Sequence, residues 1–170
     1  MKMRLLINLV FATVVALAVS SCLKDGDEKV YTAAEEILLR EAYLDSLVAK
    51  GHDIDTTANQ VYYVIREEGE GDFAKSGDTL IVGYAGYFID GVLFDSSELH
   101  YSDGKMEFVL EGEKSRMILG WEEGLKKMNK GAEFQFVIPS GQAYGSTGWG
   151  SIPPYQTLIF VTKLYDIKPS

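Results

Sequence analysis

From residue 61 to the C-terminus, short apolar runs alternate with breaks that contain Gly, Asp or Asn. Runs rich in Val, Ile, Phe, Tyr and Thr are typical of β-strands, and the breaks are typical of turns. The pattern predicts strands at 61–67, 79–88, 93–96, 106–110, 132–138 and 157–167. Asp90 and Gly91 lie between the second and third runs and tolerate positive φ, so they predict a tight hairpin there.

Alternation within the runs indicates which side chains share a face of the sheet. In the fifth run, Phe134, Phe136 and Ile138 alternate with Glu133 and Gln135, so the apolar side chains lie on one face. In the second run, the side chains that lie together are Leu80, Val82, Tyr84 and Phe88. Both runs therefore present an apolar face to a common core.

An N-terminal helix is predicted from about residue 33 to residue 50. Thr32 and Glu35 have the spacing of a capping box, in which each side chain accepts a hydrogen bond from a free backbone N–H of the first turn. The apolar residues at helical spacing are Ile37, Leu38, Leu44, Leu47 and Val48. The polar segment 51–60 predicts a loop. We interpret this helix as a packing element or a spacer.

A second, shorter helix is predicted between the fourth and fifth strands. Trp121, Leu125 and Met128 lie four and three residues apart, which places them on one helical face. The order of elements predicts an α+β fold, with an antiparallel, strongly twisted sheet wrapped around this short helix. The N-terminal helix precedes that unit.

Aromatic residues are more numerous than a small core requires. Those on the predicted strands, helix and Gly-rich loop include Phe94, Phe108, Trp121, Tyr144, Trp149 and Phe160. They either fill the core or line a concave apolar binding site. Periodicity alone favours the core.

The first 21 residues differ from the rest of the chain. Lys2 and Arg4 precede an apolar run over 5–19, which is shorter than the ~20 residues of a membrane-spanning helix, so the segment predicts an export signal. The sequence LAVSSC, which ends at Cys22, resembles the lipobox of bacterial lipoproteins, in which the cysteine thiol carries a diacylglyceryl group. The alternative is an ordinary secretory signal with a chance cysteine nearby.

Charge excludes some partners and adds one observation about export. Removal of 1–21 leaves 14 of the 16 basic residues against 25 acidic ones, a formal charge of −11, so nucleic acid is not an expected partner. The acidic cluster 24–29 predicts a solvated tether, and it also resembles an acidic tag that sends some lipoproteins to the outer surface.

The sequence gives little support for metal or nucleotide chemistry. His52 and His100 are isolated in polar segments, so no metal site is expected. The glycines near residue 148 do not open a helix after a strand, so they do not match a nucleotide-binding loop. Glu122 and Glu123 point to diverging faces of the predicted helix, which argues against paired carboxylates. No cofactor is expected.

Three motifs in order resemble one family. They are VGYAGYFIDGVLFDSS at 82–97, ILGWEEGLKKM at 118–128 and SGQAYGSTGWGSIPPYQTLIFVTKL at 140–164. Together they resemble the FKBP-type peptidyl-prolyl cis-trans isomerases, from about residue 61 to the C-terminus. The resemblance implies an isomerase domain at 61–170, preceded by a signal peptide at 1–21 and a tether, helix and linker at 22–60.

The resemblance also implies a proline-binding pocket. Its floor would be Trp121, and its walls would be Tyr84, Phe94, Phe108, Ile118, Ile152 and Phe160. Asp95 would be buried beside Tyr84, the Tyr144 hydroxyl and the Ile118 backbone N–H would bind ligand carbonyls, and the loop 143–153 would cover the site. Met117 and Trp149 depart from the usual residues at the rim. The resemblance makes macrolide inhibitors candidate ligands, but these departures leave their binding and the preferred residue before proline open.

Two functions are compatible with these motifs. The first is a folding factor that isomerises X-Pro bonds of unfolded or partly folded exported proteins, lipid-anchored to a bacterial membrane and expected at the outer membrane. The second is a non-catalytic chaperone or protein-binding module that uses the same pocket. The family's pocket residues at Tyr84, Phe94, Asp95, Trp121, Tyr144 and Phe160 favour the first.

Overall fold

The computed structural model describes residues 30–112 and 117–170. Its helices are α1 (Ala33–Ala49) and α2 (Leu119–Leu125). Its strands are β1 (Asp55–Thr56), β2 (Tyr62–Glu67), β3 (Glu70–Phe73), β4 (Thr79–Phe88), β5 (Leu93–Ser96), β6 (Met106–Val109), β7 (Asn129–Lys130), β8 (Glu133–Ile138) and β9 (Leu158–Lys168). The predicted export signal, Cys22 and the acidic cluster lie outside the described residues.

One antiparallel sheet organises the molecule. Its strands lie in the order β1-β2-β8-β9-β4-β5, and β6 also pairs with β4. The long central pair, β4 and β9, places Tyr84 opposite Thr162 and Gly86 opposite Phe160. The six strands predicted from the alternation pattern are all present, with bounds that differ by one residue at most. The predicted antiparallel α+β architecture is confirmed.

The main core lies between one face of the sheet and α2. Phe134, Phe136 and Ile138 on β8 are buried there, together with Leu80 and Val82 on β4, as the alternation predicted. The helix packs closely on β8 because it carries glycine at the contact. A Cβ at Gly124 would lie 2.6 Å from the ring of Phe136, so a larger residue would push α2 away from the sheet.

The opposite face of the sheet is covered by α1. Leu47 is buried there against Val64, Val137 and Ile159. The capping box of Thr32 and Glu35 begins the helix as predicted. However, three of the five apolar residues that predicted the helix are exposed, namely Ile37, Leu38 and Val48. The buried side of α1 instead includes Glu36, which is 6% exposed.

Three short strands were not predicted. β1 lies inside the segment 51–60, which was expected to be a loop, and pairs with β2. β3 and β7 form a separate two-stranded sheet. These strands are two to four residues long, and strands so short carry too few alternating positions to be recognised. Within the described parts of the chain, no helix is long and apolar enough to cross a membrane.

Candidate active site

A cavity of about 180 Å³ opens at the core face of the sheet, between α2, β4, β5, β9 and the loop that joins β8 to β9. Its lining residues are Tyr84, Phe94, Asp95, Met117, Ile118, Trp121, Tyr144, Trp149, Ser151, Ile152 and Phe160. Among these, Asp95 is the only side chain that carries a formal charge. The cavity therefore has mostly apolar and aromatic walls with a few polar groups.

The floor of the cavity is the indole of Trp121, which is 2% exposed. Its Nε1–H donates to the hydroxyl of fully buried Thr162 at 3.0 Å, so the ring has a satisfied polar edge and a fixed orientation. Tyr84 meets the indole edge-on at a centroid distance of 5.4 Å, and Phe160 lies 5.6 Å away. Phe108 stacks on it at 5.7 Å. The floor is thus held by contacts with three other rings.

Phe94 forms a side wall through its position on β5. Its ring lies 5.0 Å from Phe88 and 5.7 Å from Phe160, centroid to centroid. Gly86 on β4 makes room for it, because a Cβ there would lie 2.7 Å from the ring of Phe94. The Tyr-x-Gly spacing of β4 therefore leaves space for the Phe of the Phe-Asp-Ser motif on β5.

Tyr84 and Asp95 form the polar side of the cavity. The Tyr84 hydroxyl donates to one carboxylate oxygen of Asp95 at 2.8 Å. Burial raises the pKa of the Tyr84 hydroxyl, and its hydrogen bond to Asp95 and the charge of Asp95 raise it further. Tyr84 therefore stays protonated at neutral pH. Asp95 itself is less buried than expected, since 36% of its side chain is exposed.

His100 contacts the second carboxylate oxygen of Asp95. Its Nε2 lies 2.7 Å from Asp95 Oδ1, which also accepts the backbone N–H of Ser96 at 2.9 Å. His100 is therefore not isolated, and the expectation that it would be is wrong. The short helical turn Ser97–Leu99 brings it back to a residue five positions earlier. The histidine five residues after Asp95 is the sequence feature that could have indicated this contact.

The loop between β8 and β9 forms the remaining wall. Tyr144 and Trp149 stack with centroids 5.6 Å apart and planes at 12°, while Trp149 stays 70% exposed. Trp149 and Ile152 exchange two backbone hydrogen bonds of 2.9 Å, which close the tip of the loop. Gly148 has a φ of +66°, and a Cβ there would collide with the backbone of Ile152 and Pro153, so the tip requires glycine.

Tyr144 supplies a second hydroxyl to the cavity. Burial raises its pKa, and the charge of Asp95 raises it further, so this group also remains a hydrogen-bond donor at neutral pH. The cavity therefore combines an apolar floor with two neutral phenol groups. Such a site is suited to hold a small apolar ring and to donate to a neighbouring carbonyl.

The cavity brings together ten of the eleven residues predicted to form the site. The exception is Phe108, which supports Trp121 by stacking and is not among the lining residues. Ser151 also lines the cavity and was not predicted as a site residue, although it lies within the third motif and the loop 143–153. Over 30–112 and 117–170 there is no cluster of three or more His, Cys, Asp or Glu residues arranged to hold a metal.

Comparisons with known proteins agree with this geometry. A sequence model of the FKBP-type peptidyl-prolyl cis-trans isomerases matches residues 70–165. The isomerase FkpA of Escherichia coli (strain K12) is 41% identical over 123 residues, which cover 72% of this chain and 43% of FkpA. A probable FKBP-type isomerase of Haemophilus influenzae is 43% identical over 122 residues, which cover 71% of this chain and 48% of the relative. The chain thus spans less than half the length of these curated relatives.

Solved structures show the same fold. The crystal structure of FkpA from Escherichia coli has a TM-score of 0.69 at 37% identity, covering 81% of this chain and 61% of that one. A peptidyl-prolyl cis-trans isomerase from Pseudomonas syringae has a TM-score of 0.67 at 26% identity, covering 82% and 98%. Since the family match covers more than half of the 170 residues, the chain belongs to the FKBP-type peptidyl-prolyl cis-trans isomerase family.

Proposed function

We propose that this protein is an active peptidyl-prolyl cis-trans isomerase that acts on X-Pro bonds of exported, unfolded or partly folded proteins. The observation that carries the proposal is the apolar cavity over Trp121, with the hydroxyls of Tyr84 and Tyr144 at its side. The names of the relatives support the reaction type. No cofactor enters the proposal.

The cavity is suited to this reaction because isomerisation requires no covalent step. The barrier of about 18–20 kcal/mol arises from the loss of amide resonance as the C–N bond twists. The planar amide is polar and well solvated, whereas the twisted amide is less conjugated. An apolar site therefore disfavours the planar ground state relative to the transition state.

The cavity residues have different roles in the proposed isomerisation. Trp121, Phe94 and Phe160 enclose the proline ring and exclude water from it. The Tyr144 hydroxyl donates to a carbonyl of the bound peptide and fixes its orientation. Asp95 acts through Tyr84, because its carboxylate accepts the Tyr84 hydroxyl hydrogen and orients the phenol ring against Trp121.

An exchange assay on short peptides tests the proposal. Wild-type protein should accelerate cis-trans exchange of X-Pro tetrapeptides, measured by NMR line broadening or magnetisation transfer without a coupled protease. A series that varies the residue before proline would also define the preference at the Trp149 rim. Failure to accelerate exchange of any X-Pro peptide would reject the enzymatic function.

A non-catalytic chaperone or binding module is the second candidate, and exposed apolar side chains favour it. Trp149 is 70% exposed and Leu119 is 69% exposed near the cavity, while Leu38 is 66% exposed on α1. Such side chains are suited to contact an unfolded chain. This function predicts that the protein suppresses aggregation of an unfolded client, measured by light scattering, without accelerating cis-trans exchange of any X-Pro peptide.

We further propose that the protein is exported and anchored to the outer membrane through a lipid on Cys22. The support is the lipobox-like sequence before Cys22 and the acidic tether after it. Acyl chains contribute about 0.8 kcal/mol for each methylene that they bury in a bilayer. We expect Cys22→Ser to move the protein from the membrane fraction to the soluble fraction. Continued sedimentation of that variant with membranes, at high salt, would reject the anchor.

A further inference from the structure

Glu36 is a buried carboxylate that lies outside the cavity and has no part in the function proposed above. Glu36 is in the first turn of α1 and is 6% exposed. An ionised carboxylate is costly to bury unless several hydrogen-bond donors surround it. The donors around Glu36 come from the two ends of the loop that forms the cavity wall.

The first end of the loop is held at Ser140, two residues after β8. The backbone N–H of Ser140 donates to one oxygen of Glu36 at 2.6 Å, and the Ser140 hydroxyl donates to the other at 2.6 Å. Ser140 is 5% exposed. Both oxygens of a single carboxylate therefore bind the same residue, which fixes the direction in which the chain leaves β8.

The second end is held at Thr157, directly before β9. Its hydroxyl donates to Oε1 of Glu36 at 2.9 Å, the same oxygen that accepts the Ser140 N–H. Thr157 is 2% exposed. Arg40, one turn later on α1, places a guanidinium nitrogen 3.9 Å from that oxygen and supplies compensating charge. Glu36 thus joins the two stems of the loop from outside the sheet.

The held end connects directly to the cavity wall. The carbonyl of Ser140 accepts the backbone N–H of Ala143 at 2.9 Å and that of Gly145 at 2.8 Å. These two residues flank Tyr144. The carbonyl of Gly145 in turn accepts the N–H of Tyr155 at 2.9 Å. A continuous set of hydrogen bonds therefore runs from Glu36 through Ser140 to both neighbours of Tyr144.

From this arrangement we infer that Glu36 is a positioning residue for isomerisation, which holds the Tyr144-bearing loop in its working geometry. The N-terminal helix is then a support of the active site in addition to a packing element. The inference rests on the proposed isomerase function for its kinetic effect. Its structural part, the ordering of the loop by Glu36, is measurable without any activity.

Four variants of the full chain separate positioning from general stability. Glu36→Ala removes all three hydrogen bonds from the loop stems. Glu36→Gln keeps one oxygen that accepts from the Ser140 N–H and the Thr157 hydroxyl. Thr157→Val removes one donor while keeping the shape of the side chain. The matched control is Leu47→Ala, which removes a buried side chain about 16 Å further along the same helix. Leu47 packs with Val64, Val137 and Ile159, whereas the hydrogen bonds to the loop stems come from Glu36.

The first measurement is amide hydrogen exchange of residues 141–156 under conditions where every variant is folded. Hydrogen bonds to a charged acceptor are strong, so their loss in Glu36→Ala should speed exchange of this loop roughly tenfold to a hundredfold. Exchange within β4 should change little. Glu36→Gln should recover most of the protection, and Leu47→Ala should leave the loop as in the wild type.

The second measurement is kcat/KM for an X-Pro tetrapeptide. Displacement of Tyr144 removes a peptide-binding hydrogen bond and opens the cavity wall, so Glu36→Ala should lower kcat/KM about tenfold. Thr157→Val should have a smaller effect of about twofold to fivefold. Glu36→Gln should recover most of the activity, and Leu47→Ala should stay within about twofold of the wild type.

The outcomes are distinguishable. A folded Glu36→Ala with wild-type loop exchange and wild-type kcat/KM would overturn the inference. Equal losses in Glu36→Ala and Leu47→Ala would also overturn it, because docking of α1 as a whole would then be responsible. If Glu36→Ala does not fold, Thr157→Val is the test. Faster loop exchange and a lower kcat/KM in Thr157→Val, with near wild-type values in Glu36→Gln, would support the inference, and wild-type values in Thr157→Val would overturn it. If the wild type is inactive, the proposed function fails, and the exchange data alone decide whether Glu36 orders the loop.

Discussion

Phe94→Ala is the substitution that most directly tests the cavity as the reaction site. Phe94 is half-buried and lines the cavity, yet it lies at the edge of the core and not at its centre. Removal of its ring opens one wall to water and removes apolar contact with a bound proline. Activity should fall while the fold remains.

The expected loss follows from the area of the ring. A buried aromatic side chain covers about 150–250 Å², and a bound proline would cover roughly a third of that, about 50–80 Å². At about 25 cal/mol per Å², the lost contact is worth ~1.2–2 kcal/mol, which corresponds to a fall of about 8-fold to 30-fold in kcat/KM. Phe→Ala substitutions in protein cores cost ~3–5 kcal/mol of stability, so removal of this half-buried ring should cost about half as much.

The assay compares Phe94→Ala with Tyr63→Ala. Tyr63 is also half-buried against the main core, with ring partners Phe134 at 5.4 Å and Phe136 at 6.4 Å, but it does not line the cavity. The two variants should lose similar stability in urea titrations. Protease-free NMR exchange near 10 °C, where uncatalysed isomerisation takes minutes, should show a loss of kcat/KM only in Phe94→Ala. A folded Phe94→Ala within twofold of the wild type would refute the assignment, as would an equal loss in Tyr63→Ala.

Three further substitutions test the polar groups of the site. Thr162→Val should destabilise the protein by about 1–3 kcal/mol in urea unfolding, because it leaves the Trp121 Nε1–H buried without its acceptor. Tyr144→Phe should lower kcat/KM by about twofold to tenfold, less than Phe94→Ala, because one hydrogen bond contributes ~0.5–1.5 kcal/mol. A larger loss would show that the Tyr144 hydroxyl does more than orient the bound peptide. Burial and Asp95 raise the pKa of Tyr84 above its ordinary value, so the folded state holds this proton more tightly than the unfolded chain. Stability should therefore fall as pH rises above about 10, and Tyr84→Phe should reduce that slope in urea unfolding at pH 9–12.

The sequence was sufficient to predict the elements that carry the cavity. Alternation in β4 and β8 is regular, and one face of each strand is buried in a common core. The two-residue period of apolar side chains in the sequence therefore matches the pattern of burial in the structure. The three motifs lie on β4 with β5, on α2, and on the loop before β9 together with the first part of β9. Each motif includes a cavity residue beside a glycine that permits close packing. The motifs therefore predict both the fold and the position of the site.

The docking of α1 was not predictable from the same kind of pattern. Its apolar residues are spread over more than one face, and Ile37 and Leu38 are exposed while Glu36 is buried. A charged residue on a helix normally faces solvent, so Glu36 gave no signal in the sequence. Its partners Ser140 and Thr157 lie 104 and 121 residues away, and hydroxyl side chains in loops do not reveal what they bind.

The choice of a carboxylate at position 36 follows from the donors that it meets. Leucine there would bury a similar volume against the sheet and avoid the desolvation of a charge. However, the Ser140 N–H and the hydroxyls of Ser140 and Thr157 would all lose their acceptor. Each buried donor left without a partner costs about 1–3 kcal/mol, so the three donors together cost about 3–9 kcal/mol. Burial of one apolar side chain contributes only roughly 1.5–3 kcal/mol. The turn that leaves β8 and the turn that enters β9 therefore require an acceptor from outside the loop, and α1 is the element that supplies it.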